Sequence, residues 1–507
     1  MQPETQTALR ELLLTGRLTQ ADGEQQLRRF LVEARGALRL WFGAAADAIC
    51  RDARLLRGMI DRDIARIDAL IARQLDAILH HERLLRLEGS WRGLQWLVSG
   101  LDPSAPVKVR LLSVRWDEMA RDLARAAGFD QSALFRLIYE SEFGHAGGQP
   151  FGLLLVDHEL RHRPDQRAAG AAAPVDDVSV LADLAPIAAA AFAPLVLAAA
   201  PSMLDVEQFG ELAHLQDVTA GLHGADHARW QALRRREDAR FVCLALPRIL
   251  ARPRWDGAHS AHNGLRFAEH APDAAARCWF SPGFAFAALA ARAFATHGWP
   301  ADVRGVTPDR EGGGLVRQLP REDFSLGAAT RLPRQQLDIV LTDMQERALA
   351  AAGFMPLNTL PHGEAMFASA HSIQARTQDA PGRGPTAATA NRRLSAYVNA
   401  MLCVSRFAHY VKIIGRDMTG AFARADEIER RLQSWLAGYT NASRLADADS
   451  RARHPLLASQ VSVREQEGRP GAFTCVILLQ PFHQMDDVSA TFRLVTGFAA
   501  PGRAEAA

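Results

Sequence analysis

Residues 394–439 read LSAYVNAMLCVSRFAHYVKIIGRDMTGAFARADEIERRLQSWLAGYT, and how this stretch folds decides how the rest of the chain is read. Apolar side chains at Leu394, Val398, Met401, Leu402, Phe407, Val411 and Ile414 recur at intervals of three and four, the period of a helix with one buried stripe. Gly415 and Gly420 then offer positions at which that helix can end. A second helix starts near Asp426 and runs through Ile428, Leu432, Trp435 and Leu436, with its acids early, as the helix dipole favours. Three alternating runs follow at 459–464, 472–479 and 491–496, and read as strands. The pattern predicts a carboxy-terminal domain of a helix pair and a small sheet. Short strands outside a closed barrel leave amides and carbonyls that an incoming strand can satisfy. That these strands simply complete their own domain is the other reading the pattern leaves open.

Upstream of this domain, residues 377–389, TQDAPGRGPTAAT, are rich in Pro, Gly, Ala and Thr and read as a linker or loop. Helical stretches alternate with apolar runs between 81 and 376, which predicts a central α/β body. Within it, residues 107–114 read as a strand, 116–127 and 132–140 as helices, and 153–156 as a buried strand. Trp91, Leu94, Leu97 and Val98 share one helical face, while Gly89 and Gly93 allow close approach. Residues 1–80 read as helical. The series Ile60, Ile64, Ile67, Ile71, Leu75 and Ile78 gives one long amphipathic helix, whose stripe must pack on the body, a partner or a second copy. Residues 499–507 read as a disordered tail. The fold class is therefore mixed α/β: a helical amino-terminal segment, a central α/β body, and a carboxy-terminal helix pair with a small sheet.

With 507 residues and 48% hydrophobic side chains, the chain can bury more than one core. A formal charge of +2 gives no bulk attraction to nucleic acid or to an anionic membrane. Lys108 and Lys412 are the only lysines; the arginine excess reads as compositional bias. Cys50, Cys243, Cys278, Cys403 and Cys475 are scattered singly, without a CxxC pair, and read as buried thiols in a reducing compartment. The opening MQPETQTALRELLL lacks a secretion-signal pattern, so the expected location is cytoplasmic. Residues 184–204 carry no charge and are long enough to span a bilayer, but Pro186, Pro194 and Pro201 interrupt them. A mid-helix proline costs about 3 kcal/mol. A core helix to about Phe192 followed by a buried strand from Pro194 to Ala199 is the expected outcome.

The sharpest enzymatic lead is His158, Glu159, Leu160, Arg161, His162, a literal HExxH. On a helix it would hold zinc between His158 and His162, with Glu159 as the base of a metallohydrolase. The strand-like FGLLLVD before it and Pro164 after it argue against a helix. His259 and His262 lack further ligands, and Gly312, Gly313, Gly314, Gly382 and Gly384 lack a P-loop lysine. No GxSxG elbow occurs. Arg406, His409, Lys412 and Arg416 share a helix face that reads as solvated or ion-paired rather than anion-binding.

Several ordered segments carry a family resemblance. They are LEGSWRGL with Glu88, Trp91, Arg92 and Gly93; EFGHAGGQPFGLLLVD with Gly144, Gly147 and Gly148; and DARFVCLALPRILAR with Pro247 and Arg248. GWPADVR, LVRQLP and ERALAAAGFMPL follow, then SRFAHYVKIIGRD with Arg406, His409, Tyr410, Lys412, Arg416 and Asp417, a later HPL, and FRLVTG. Over about residues 80–497 the chain resembles the large subunit of the type VI secretion contractile sheath, the TssC (VipB, EvpB) family. The resemblance makes the second histidine of the HExxH incidental. It implies a structural protein with no catalytic residue, cofactor, metal or membrane insertion. It also implies a heterodimer with the small sheath subunit TssB (VipA), further copies of itself, an inner tube of Hcp, a baseplate and the ClpV unfoldase. Contraction of such a tube propels the inner tube and its spike. Inter-subunit strands would then include Val461, Val463, Phe473, Val476, Ile477, Leu479, Phe492, Leu494 and Val495.

Overall fold

The computed structural model describes the chain apart from residues 1–8, 16–20, 33–35, 146, 165–174, 257–264, 266, 307–311, 326–330, 361–362, 376–395, 419–423, 444–445, 467–471, 483–491 and 500–507. The proposed linker at 377–389, nearly all of the proposed tail, Gly382, Gly384, Gly420, His259 and His262 lie outside the described residues. Two units emerge: Met1–Leu85 with Arg254–Arg277, and Arg86–Pro253 with Cys278–Ala507.

The first unit is built on helix α1, Ala53–Leu79. Asp52 starts it by accepting hydrogen bonds from the amides of Arg54 and Leu55, two donors that a helix start leaves open. Its buried residue is a carboxylate: Asp63, to which Arg10 donates at 2.6 Å and Trp41 at 3.0 Å. The apolar stripe read from the sequence forms, but much of it stays uncovered. Ile64, Ile71 and Ile78 remain 49%, 40% and 48% exposed.

The second unit holds a six-stranded sheet. Its strands are β1 Leu154–Leu160, β2 Leu195–Ala199, β3 Val242–Leu246, β4 Leu315–Val316, β5 Phe354–Thr359 and β6 Ala365–Phe367, in the order β1-β2-β3-β5-β6-β4. The first four in that order run parallel and the last two are added antiparallel. Every residue of β2 and β3 is buried, which is why both read as unbroken apolar runs, LVLAA and VCLAL. The uncharged run at 184–204 divides as its prolines predict, into a helix over Asp177–Ala190 that contains Pro186, and then β2. Among the described residues no helix is long and apolar enough to cross a membrane.

Helix α2, Glu82–Ser99, presses on the body through its glycines. A Cβ on Gly93 would lie 2.6 Å from the Phe284 ring, and one on Gly89 would meet the Trp279 carbonyl. One expectation fails. Residues 107–114 form no strand, because no described backbone pairs with them. The chain straightens there without a ladder and then enters helix α3, Trp116–Arg125.

The terminal part contains helices α4, Val398–Met418, and α5, Ala425–Ala437, and the antiparallel sheet β7-β8-β9. These strands are β7 Leu456–Glu465, β8 Ala472–Pro481 and β9 Phe492–Ala499. Helix α4 passes through Gly415 instead of ending there. Ile428, Leu432 and Leu436 of α5 pack with Phe407 and Val411 of α4 and with Val461, Val463, Ile477 and Leu479 of the sheet. Trp299 from the GWP segment enters the same core, stacked on Phe407 at 4.1 Å.

Candidate functional site: strand edges, histidines and the α4 face

The terminal sheet has a closed centre and two different edges. β8 is the middle strand: Val476 faces Ser462 and Val495, and Ile477 faces Val461 and Leu494. Val461, Val463, Ile477 and Leu479 are buried inside this core, while Phe473 and Val476 are half-buried. Phe492, Leu494 and Val495 belong to β9, whose backbone pairs, among the described residues, on one side only, with β8. The outer edge of β7 is occupied from within. Gln433 Oε1 accepts from the Val461 amide at 3.0 Å, Glu429 Oε2 accepts from the Val463 amide at 2.9 Å, and Gln433 Nε2 donates to the Ser459 carbonyl at 3.3 Å. Both side chains stand on α5, one turn apart, and take the hydrogen bonds a neighbouring strand would otherwise make. Sequence reading did not find them, because Gln and Glu on a helix carry no mark of a distant strand partner. Of the terminal sheet's edges, β9 is therefore the one left open among the described elements.

The HExxH stretch lies in and just beyond β1, as its flanks predict. At about 3.3 Å per residue, a strand puts positions four apart some 13 Å from each other, so the two histidines have separate surroundings. His158 Nε2 is 3.0 Å from Asp177 Oδ2, and its ring stacks on Trp116 at 4.1 Å. Asp177 also accepts from Trp116 Nε1 at 2.7 Å and from the Arg161 amide at 3.0 Å. His162 instead stacks on His227, with centroids 3.9 Å apart and planes 17° apart, and its Nε2 lies 3.4 Å from Asp205. Burial, then the neighbouring His227, pushes the His162 imidazole below its ordinary pKa. His162, Asp205 and His227 form a cluster of metal-ligand type. As placed, nearly parallel rings do not aim two in-plane lone pairs at one ion, so the trio lacks the geometry of a zinc centre.

The cationic face of α4 is buried against the body, not solvated as expected. His409 is fully buried and its Nε2 donates to the Ala191 carbonyl at 2.9 Å. Burial pushes its pKa down to about 3. Lys412 Nζ sits 5.0, 4.7 and 4.8 Å from the ring centroids of Tyr139, Phe143 and Phe192, and burial pushes its pKa down to about 8. Arg406 lies over Phe294 and Tyr410, and Arg416 donates to the His145 carbonyl at 2.7 Å. The face locks α4 to the body. The side chain of Asp417 lies outside the described residues.

The remaining motif residues also make joints. Glu88 accepts from Arg92 at 2.7 Å and from Arg252 at 2.8 Å. Burial would raise its pKa, but the hydrogen bonds from Arg252 and Arg92 outweigh that and hold the carboxyl below its usual range. Trp91 stays 58% exposed. Gly144 follows the short helix Ser141–Phe143, and Gly147 has φ +83°. A Cβ on Gly148 would strike the carbonyl of Glu142, whose carboxylate binds Arg110 and accepts from the Gln149 amide at 2.7 Å. Pro247 follows a cis peptide bond, and Arg248 donates to the buried Asp338 at 2.8 and 2.6 Å.

This is a molecule of packed joints and strand edges, the build of an assembly subunit. Residues 61–374 match the family model described as EvpB/VC_A0108, tail sheath N-terminal domain, and residues 387–498 match that of the EvpB/VC_A0108, tail sheath gpW/gp25-like domain. The chain belongs to this tail sheath family, and its role is structural, in the sheath of a type VI secretion system. It is 33% identical over 444 residues to the type VI secretion system sheath protein TssC1 of Pseudomonas aeruginosa, covering 86% of this chain and 85% of that one. A chain of the anti-feeding prophage baseplate aligns over 80% of this chain and 82% of its own at 8% identity, with a TM-score of 0.30, too low to define a common fold.

Proposed function

We propose that this chain is the large subunit of the contractile sheath, that it pairs with the small subunit TssB, and that the pairs build a tube around Hcp in the cytoplasm. The observation that carries the reading is the family match across both sheath domains, joined to a terminal sheet whose β9 edge is open. Such an edge accepts a strand from a neighbouring subunit at about 1 kcal/mol net per hydrogen bond, weak singly and strong when repeated along a tube. The work is mechanical: subunits repack, the tube shortens, and no covalent bond is made or broken. A baseplate would start the tube and ClpV would dismantle it after contraction. The exposed stripe of α1, with Ile64, Ile71 and Ile78, suits a helical partner. Co-expression with the small subunit tests the reading. Stable complexes and tubes visible by electron microscopy are expected; a monomer that neither binds the small subunit nor forms tubes would overturn it.

A further inference from the structure

Helix α1 carries the same apolar seat twice. Trp41, Phe42, Ala46 and Ile49 pack on it through Leu56, Met59 and Ile60. Eleven residues on, Ile67, Leu70 and Ile71 repeat that spacing. Three α-helical turns take about 11 residues, so the two trios point the same way, about 16 Å apart along the axis. The second trio is only half-covered, and Ile71 is 40% exposed. Apolar area alone gives the amino-terminal helices little reason to prefer one seat. What separates the seats is polar. Beside the first trio stands Asp63, 2% exposed, whose Oδ2 accepts from Arg10 Nε at 2.6 Å and from Trp41 Nε1 at 3.0 Å. Those donors come from two separate helices, Leu9–Leu14 and Ala37–Phe42. Burial would raise the Asp63 pKa, but the hydrogen bonds from Arg10 and Trp41 outweigh it and hold the carboxyl below its usual range, so the pair is ionised. The equivalent place beside the second trio, again eleven residues on, is taken by Gln74, which is exposed and neutral. A guanidinium brought there would exchange its carboxylate for an amide oxygen at best, and a charge buried without its partner is costly.

We propose that the carboxylate at 63, set against the amide at 74, directs the chain's own amino-terminal helices to the first seat and keeps the second seat uncovered for the helical partner. A buried ion pair adds little net stability, but it rejects every placement that strands one of its members, which is how such pairs fix register. A second copy brings the same Arg10, so the missing carboxylate at 74 bars its helices from the second seat as well. The exposed stripe of α1 is thereby kept from being closed by this chain itself. The role of the second seat in binding rests on the two-subunit reading above; the choice between the seats does not.

Exchanging the two side chains tests it. Leu38 and Arg73 are exposed, and Cys50 is the one exposed cysteine, so spin labels on Leu38→Cys and Arg73→Cys in the full chain with Cys50→Ser report the distance from the helix Ala37–Phe42 to the second seat. Asp63→Gln with Gln74→Asp should move the helices: the label distance shortens by about 16 Å if they move within one chain, or light scattering shows a new concentration-dependent dimer if they dock on a second copy. A double variant that melts like wild type with the label distance and mass unchanged would overturn the proposal. Gln74→Asp alone leaves the Asp63 pair intact and alters an exposed side chain, so it keeps the fold. It should add a second label distance or a dimer, and weaken binding of the small subunit at least about threefold, because the chain's own helices then compete for the seat. A single wild-type distance and mass from this variant would also overturn the choice of seat. Relocation with undiminished binding would uphold that choice and overturn the role given to the second seat. If the wild-type chain binds no small subunit, the two-subunit reading falls, and the label distances still decide the seat.

Discussion

At the outer edge of β7, Gln433 and Glu429 reach across from α5 and take the amides of Val461 and Val463; at the outer edge of β1, no described residue does the same for the stretch alongside it. Both edges belong to one chain and both carry apolar sequence. The first is finished by side chains four residues apart on a helix that is already packed. Alongside the second, the amides of 108–114 have no acceptor among the described residues, and Leu111 and Leu112 are exposed. An edge that is capped internally guards against unwanted pairing, and an edge left bare is an offer. The same contrast separates the two edges of the terminal sheet, with β7 closed and β9 open.

The largest effect expected is at the centre of the terminal sheet. Ile477→Pro removes a ladder donor from β8, which is paired on both sides, and should cost more than about 3 kcal/mol and abolish the cooperative melting of this region by calorimetry. If the variant melts like wild type, β8 is not the central strand described here. Against it, Leu112→Pro should leave the lone chain's melting unchanged, because no ladder exists there to lose.

Next comes the closed edge. Glu429→Ala with Gln433→Ala strips the caps from Val461 and Val463 and should cost about 1–3 kcal/mol per stranded donor. Size-exclusion chromatography should also show new self-association, since the amides of Val461 and Val463 are then free to pair with another strand. A double variant as stable and as monodisperse as the parent would erase the comparison.

Two smaller effects test the helix that fastens the terminal sheet to the body bearing the β1 edge. His409 has its pKa lowered from 6.5 to about 3, so between those values the unfolded chain binds a proton that the folded chain refuses. Stability should therefore fall as pH drops from 6.5 towards 3, by at most about 1.4 kcal/mol per pH unit from this group, and His409→Gln should flatten that slope in denaturant titrations. Lys412, lowered from 10.5 to about 8, works in the same direction at higher pH. Its charged form penalises folding below pH 8, and that penalty is relieved as pH rises from 8 to 10.5. Lys412→Met should remove this rise while keeping the contacts with Tyr139, Phe143 and Phe192; an unchanged slope would mean the ammonium is solvated.

Much of this was legible in the residues. The three-and-four spacing from Val398 to Ile414 announces α4, the all-apolar LVLAA and VCLAL announce strands buried on both faces, and FGLLLVD before His158 announces that the HExxH is on a strand. The resemblance carried by the tryptophan, glycine and arginine motifs is matched by the family models. What misled was context. VKVRLLSV has a strand's pattern, but a strand needs a neighbour, and none of the described backbone supplies one. The cations of α4 look like a solvated face because their spacing says nothing about the aromatic rings of Tyr139, Phe143 and Phe192 that surround Lys412.

Local order, then, was written in the sequence: where helices and strands lie, which side chains turn inward, and which family the chain joins, because period and composition act between residues close in the chain. Which edge is sealed and which is bare, which histidines meet, and which cations are buried were decided only by tertiary structure. Those outcomes depend on groups far apart in sequence, such as Glu429 with Val463 or His162 with His227, which nothing but the folded path brings within a few ångströms.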